Sequence, residues 1–169
     1  MKKFLISIAV IALASNLTAA PNTSAAEISE EKAGVISMTC GSIQLQLKNL
    51  QKADSRVRVF LGSKYEFVLT NLMTNLNLRL IRNDLASPPL AASQSTFSSE
   101  RDFFKTSFTD YAKSLDTLIA IDCRSNPYNF YNQLEVTRGK REIVRQSYLR
   151  LKDVLSEHRA IIVSFKESL

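Results

Sequence analysis

The sequence predicts an all-α protein, an elongated antiparallel three-helix bundle with coiled-coil-like packing. Three observations lead to this class: apolar residues recur at alternating spacings of four and three, proline and glycine are scarce, and the only two cysteines lie far apart. Apolar residues spaced in this way share one face of a helix and form the seam of a coiled coil. An up-down four-helix bundle is the alternative.

The longest regular pattern begins at Pro127 and predicts one helix over about residues 127–168. Asn126 is a good N-cap, and proline suits the first helical turn, where its missing N–H is not needed. A heptad seam then continues without interruption through Phe130, Leu134, Thr137, Arg141, Val144, Tyr148, Leu151, Leu155, His158, Ile162, Phe165 and Leu169.

The first predicted helix covers about residues 34–84, and its apolar residues keep the four-three spacing up to Leu61. An extra four-residue step then shifts the apolar set to Tyr65, Val68, Leu72, Leu76 and Leu80. Such a step is a stutter that locally changes the supercoil, and Gly62, which lies at the shift, is the expected place for a bend. The alternative is a break after Ala53 and a new helix capped by Ser63.

The second predicted helix covers about residues 97–123 and carries a third apolar seam. A loop over residues 85–97 is expected before it, because that segment is rich in serine and contains Pro88 and Pro89. The link between this helix and the last one, residues 124–126, is so short that the chain must reverse sharply.

Cys40 and Cys123 are expected to form a disulfide, since an even cysteine count in an exported chain favours one. In a four-helix bundle with helices of ~20 residues, the two cysteines would lie about 30 Å apart. A disulfide needs a Cα separation of roughly 6 Å, which three long helices provide by placing both cysteines at the same end. The first and last helices then run parallel, and placing Cys40 beside Pro127 fixes an offset of 87 residues between them.

The same offset pairs four polar residues that interrupt the apolar seams. It places Asp54 opposite Arg141 and Asn71 opposite His158. Buried polar residues of this kind fix the register of coiled coils, so we interpret both pairs as buried polar layers. A pH-sensitive contact is the alternative for the histidine, which titrates near neutral pH.

The amino terminus has the pattern of a secretory signal peptide over residues 1–26. Lys2 and Lys3 precede an apolar run, and small residues follow it. Cleavage after Ala26 is expected, with two earlier cleavage sites and an uncleaved anchor as alternatives, and leaves residues 27–169 as a single helical domain. The apolar run is well short of the ~20 residues that cross a bilayer, so no membrane span is expected after cleavage. The mature protein is expected to be periplasmic, secreted or on the cell surface.

The charge of the chain says little about its partner. Removal of the signal peptide takes away two of the 22 basic residues and none of the 16 acidic ones, so that 20 and 16 remain and the net charge is +4. This small excess permits contact with anionic polymers without requiring it. Glu135, Glu142 and Asp153 interrupt the basic residues of the last helix, as is typical of a solvated helix face, so nucleic acid is not expected to bind.

No catalytic, metal or cofactor site is predicted. A zinc site would have to rest on carboxylates and the single histidine, and no Glu-x-x-His pair of the di-iron type occurs. Four scattered glycines cannot form a phosphate-binding loop. The disulfide would remove both thiols as nucleophiles. We therefore expect a protein that is not an enzyme.

Several sequence features occur together in this chain. They are a signal peptide, a cysteine in Thr39-Cys40-Gly41-Ser42-Ile43, a second in Ile121-Asp122-Cys123, and a basic heptad helix at the end. In these features the chain resembles small exported three-helix coiled-coil proteins of unassigned function from reduced-genome, surface-attached bacteria. The resemblance covers most of the mature chain, implies an envelope or surface location, and brings no catalytic residues.

We therefore expect a non-enzymatic extracytoplasmic or cell-envelope protein that binds or spaces an envelope protein or another surface component. The alternative is a periplasmic holdase or carrier that binds unfolded or apolar ligands on exposed helical surface. The expected partner contact is the distal end of the bundle, the end away from the two cysteines. There the shorter second helix would leave apolar residues covered only by the loop. It comprises Leu72, Met73, Leu76, Leu80, Pro88, Pro89, Leu90, Ile162 and Phe165. A plain core under the loop and a homodimer contact are the alternatives.

Overall fold

The computed structural model describes residues 28–168, which form three helical rods joined by two short connections. In chain order the elements are α1 (Glu30–Phe67), a π-helical segment (Val68–Thr74), α2 (Asn75–Arg82), α3 (Pro88–Ala120) and α4 (Pro127–Glu167). The first three follow one another without a break and make the first rod. The predicted all-α, three-helix class is confirmed. The predicted signal peptide, residues 1–26, lies outside the described residues.

Polar contacts give the relative directions of the rods. Gln51 in α1 donates a hydrogen bond to Asp116 near the end of α3, whereas Gln94 near the start of α3 donates to Thr74. The first rod and α3 therefore run antiparallel. α4 follows α3 through a sharp turn and is antiparallel to it, so the first rod and α4 are parallel. No helix in the described part of the chain has an apolar stretch long enough to cross a bilayer.

A disulfide joins the rods at one end of the bundle. Cys40 of α1 is bonded to Cys123 in the α3–α4 turn, with the two Cα atoms 5.5 Å apart. Asp122 orders this turn, because its carboxylate accepts hydrogen bonds from the Ser125 hydroxyl at 2.7 Å and from the Arg124 amide at 3.0 Å. These hydrogen bonds hold the pKa of the Asp122 carboxyl below its usual value. The predicted disulfide is confirmed.

α3 supplies the largest share of the core, and the first rod and α4 complete it. α3 alone contributes a row of buried apolar side chains, namely Leu90, Phe97, Phe104, Phe108, Tyr111, Leu115 and Leu118. The first rod adds Tyr65, whose ring packs edge-to-face on Phe104 at 5.5 Å between centroids. Such aromatic pairs contribute about 0.5–1.5 kcal/mol beyond the area they bury. Tyr65 thus packs the end of α1 that lies away from the disulfide against α3.

A bend was expected at Gly62, but the irregularity of the first rod is the π segment, which begins at Val68. α1 remains helical through Gly62, and the break predicted as an alternative after Ala53 is absent from it. In the π segment the Thr74 hydroxyl donates to the Leu69 carbonyl, five residues earlier. A π turn contains an extra residue, and one residue corresponds to a rotation of about 100°. The face presented by the rod therefore changes there.

The loop predicted over residues 85–97 is wrong, because α3 begins at Pro88 and the connection is confined to residues 83–87. Proline lacks only an N–H that the first helical turn does not use, so Pro88-Pro89 starts the helix. The serines that follow are tolerated inside it. α3 consequently reaches the distal end of the bundle, the end that contains the 83–87 connection.

The predicted buried layer of Asn71 and His158 is also wrong. Asn71 lies in the π segment and is exposed to solvent. His158 is buried, but its Nδ1 lies 3.1 Å from the hydroxyl of Ser93 on α3. The partner was missed because the predicted second helix began too late to include Ser93. Burial lowers the pKa of the His158 imidazole.

Acidification should destabilise the protein through His158. Because its folded-state pKa lies below the ordinary value of about 6.5, its contribution to stability is complete above that pH and is lost as the pH falls further. The thermal midpoint of the parent should therefore drop more between about pH 7 and about pH 5 than that of His158→Leu. Asn71→Leu, at an exposed position, should keep the parent profile. Identical pH profiles for His158→Leu and the parent would contradict this role.

Candidate functional site: the middle of α1

The middle of α1 is the least packed part of the first rod. From residue 41 to residue 64, between Cys40 and Tyr65, no side chain of α1 is buried. Ile43, Leu47 and Leu61 are only partly buried and border the core. At 1.5 Å per residue this segment is about 36 Å long. It is therefore accessible from solvent along most of its length.

Two clefts flank the middle of α1. The α1–α3 cleft has a volume of about 540 Å³ and the α1–α4 cleft about 500 Å³. Asp54, Phe108 and Tyr111 line both clefts and so lie between them. The middle of α1 thus contacts the other two rods at a few residues, and an open cleft lies on either side of them.

Asp54 and Tyr111 form the main contact between the clefts. The Tyr111 hydroxyl donates to the Asp54 carboxylate at 2.6 Å. Burial, and then this hydrogen bond, raise the pKa of Tyr111 above its usual value, so the phenol remains protonated and can donate. Gln51 and Asp116 form a second polar contact between α1 and α3. Polar contacts thus hold α1 against α3 in the segment where α1 has no buried apolar side chains.

Asp54 and Arg141 meet as the 87-residue offset predicts, but they do not form a buried layer. The guanidinium and the carboxylate are 3.5 Å apart, while the side chains are 54% and 17% exposed for Arg141 and Asp54. An ion pair this exposed contributes about 0–1 kcal/mol. The heptad pattern treated Tyr111 as an apolar seam residue. Its contact with Asp54 could have been anticipated, because the hydroxyl of a buried tyrosine usually needs a hydrogen-bond partner.

The α1–α3 cleft carries basic side chains without acidic partners. They are Lys52, Arg56 and Arg58 on α1 and Lys113 on α3. None of them forms an ion pair with a carboxylate of residues 28–168. The two carboxylates that line the cleft, Asp54 and Asp116, already accept hydrogen bonds from Tyr111 and Gln51. The cleft therefore has an excess of unpaired positive charge.

The α1–α4 cleft is also lined by arginines, but these are paired. Arg138 contacts Glu135 at 2.6 Å, and Arg145 contacts Glu142 at 2.7 Å. Hydrogen bonds from Arg145 lower the pKa of the Glu142 carboxyl to about 2. The two clefts thus differ in how far their positive charge is neutralised.

The outward face of α1 carries exposed apolar side chains, which we call the outer stripe. Its members are Met38, Leu45, Val59, Phe60 and Phe67, which are 80%, 61%, 63%, 65% and 55% exposed. Multiples of seven residues separate Met38 from Leu45 and Val59, so they share a face, and it lies opposite the seam that contains Cys40 and Tyr65. A prediction of α1 from one seam alone misses this second one, although its seven-residue spacing is visible in the sequence.

The distal residues predicted as a partner contact do not lie together on one surface without helical cover. Met73 and Leu90 are buried in the core, each with 1% exposure. Leu72 and Ile162 are exposed, and the remaining residues are divided between the exposed Pro88 and Pro89 and the partly buried Leu76, Leu80 and Phe165. The physical reason is the early start of α3, which covers this end with helix in place of a loop.

Within residues 28–168 no three side chains of the metal-binding types come close enough together to hold a metal ion. Comparisons with known protein families, with curated proteins and with solved structures find no match. Fold and site together define an all-α, three-helix protein with one interhelical disulfide and an exposed, partly unpacked first helix.

Replacing Tyr111 by phenylalanine should lower the free energy of unfolding by about 1–2 kcal/mol, because a hydrogen bond to a carboxylate is lost with little change in packing. Urea denaturation at neutral pH measures the effect. Tyr148→Phe is the matched control, since this tyrosine is 40% exposed and its substitution should change stability little. Equal effects of the two substitutions would contradict the assigned contact with Asp54.

Proposed function

We propose that this protein is an exported, non-enzymatic interaction or spacer protein of the cell envelope, and that the middle of α1 contacts its partner. One observation carries the proposal. Leu45, Val59 and Phe60 of the outer stripe lie in the segment where α1 buries no side chain, and the same segment forms one wall of the cation-lined α1–α3 cleft. Apolar side chains exposed together with unpaired charge are typical of surfaces that bind another molecule.

Export is supported by two features. The amino-terminal sequence has the order of basic, apolar and small residues that signal peptides share. The Cys40–Cys123 disulfide is the kind of bond that persists in oxidising compartments and is rare in the cytosol. An envelope location is also what the resemblance to small exported three-helix proteins implies.

A spacing role is supported by the length of the rods. α4 contains 41 residues in one uninterrupted helix. At 1.5 Å per residue such a helix is about 60 Å long. Because α3 and α4 pack through a continuous core, they provide a support that can hold α1 at a fixed distance from whatever the bundle is attached to.

A holdase or carrier is the second candidate, and it is favoured by apolar exposure outside α1. Ile81 on α2 and Val136, Ile143 and Val163 on α4 are each about half exposed, at 59%, 51%, 48% and 50%. A holdase uses such dispersed surface to bind many unfolded chains. A spacer uses one defined surface, so the two functions differ in how localised the contact is.

Site-specific photocrosslinking in cells distinguishes the two functions. A photoreactive residue replaces Phe60 on α1 or, as the control, Val136 on α4, two exposed apolar positions on different rods. We expect one discrete adduct from position 60 and none from position 136. Heterogeneous adducts from both positions would favour the holdase. The absence of any adduct from position 60 would contradict the proposed contact.

A further inference from the structure

We infer that the α1–α3 cleft and the adjoining part of the outer stripe bind an acidic amphipathic segment of the partner protein. This inference rests on the proposed function and names the chemistry of the partner. Two observations carry the inference: an apolar surface continues into a cationic cleft, and basic side chains outnumber acidic ones in that cleft.

The apolar and cationic surfaces share residues. Ser55, Arg56, Val59 and Phe60 line a shallow depression on the outer side of α1. Ser55 and Arg56 also line the α1–α3 cleft. A bound helix could place one face on Val59 and Phe60 and turn its adjacent face toward the cleft, which is the geometry by which amphipathic helices bind grooves.

The charges of the cleft specify the polar face of such a helix. Lys52, Arg56 and Arg58 approach it from α1, and Lys113 approaches it from α3. The four basic side chains outnumber the two carboxylates that line the cleft, Asp54 and Asp116, so a formal excess of two positive charges remains for acidic groups of the partner to neutralise. Glutamate and aspartate side chains supply them, and arginine forms particularly strong hydrogen bonds with carboxylates.

A second copy of this chain fits the surface poorly. Two copies that met through this face would bring Lys52, Arg56 and Arg58 of one copy toward the same residues of the other, and like charges facing each other oppose association. A flat anionic membrane could contact the outer stripe, but Lys113 lies on the α3 wall of a recess. Dependence of binding on Lys113 therefore distinguishes an inserted segment from a lipid surface.

The test uses the purified, oxidised protein and a fluorescent helical peptide of about 18 residues, with leucine on one face and glutamate on the other. Fluorescence anisotropy measures its dissociation constant. We expect binding that weakens as salt is raised, because the ion pairs are screened. The double variant Arg56→Glu/Lys113→Glu should weaken binding at least about tenfold, since two attractions become repulsions.

The matched control is Lys152→Glu/Arg159→Glu, which changes the net charge equally at two exposed positions of α4. It should leave the dissociation constant within about twofold of the parent value, because these positions lie outside the cleft. Circular dichroism of both variants verifies that they fold. Equal weakening by the two double variants would overturn the inference, since binding would then follow net charge alone.

Three further results would overturn the inference. They are the absence of peptide binding, equal affinity for a peptide with glutamine in place of glutamate, and binding only to phosphatidylglycerol vesicles without dependence on Lys113. Failure of the proposed function is recognised separately, by the crosslink from position 60. If that crosslink forms in cells and survives Arg56→Glu/Lys113→Glu, α1 remains the contact surface and only the acidic partner is excluded.

Discussion

The Cys40–Cys123 disulfide is the interaction on which the position of α1 depends. Between Cys40 and Tyr65 α1 fully buries no side chain, so apolar burial holds this segment only through the partly buried Ile43, Leu47 and Leu61. The disulfide closes a loop across 83 positions of sequence. A bond of this kind typically contributes about 2–4 kcal/mol by restricting the unfolded chain. Held by the disulfide at one end and by Tyr65 in the aromatic cluster at the other, α1 can remain open along its middle.

The rods thereby acquire different roles. α3 and α4 supply most of the buried side chains and give the bundle a continuous core. α1 adds few buried groups and exposes an apolar stripe on the side away from that core, next to a cleft whose cations lack acidic partners. In a protein whose stability depended on burial of the middle of α1, such exposure would lower the free energy of unfolding. Here the disulfide and the core residues at the two ends of this segment hold α1 in place despite that exposure, as the proposed role of α1 as a contact surface requires.

The sequence was sufficient for features that follow from strong local constraints. The four-three spacing identified three helical rods, and cysteine geometry excluded four helices and placed Asp54 beside Arg141. The sequence was insufficient where two local rules competed. Pro88-Pro89 suggested a loop but starts α3, and this error removed Ser93 as a partner for His158 and left the distal end without the helical cover that it has. The π segment and the outer stripe were missed because a single seam was followed along α1.

Native-state hydrogen exchange measures directly whether the middle of α1 lies outside the cooperative core of the bundle. Amides buried in a cooperative unit exchange only through global unfolding, whereas poorly packed segments open locally at lower free energy. Amides of residues 48–60 should therefore exchange faster than amides of residues 104–118 in α3 when both are corrected for intrinsic rates. Equal protection of the two segments, at the level of global unfolding, would show that the middle of α1 belongs to the cooperative core.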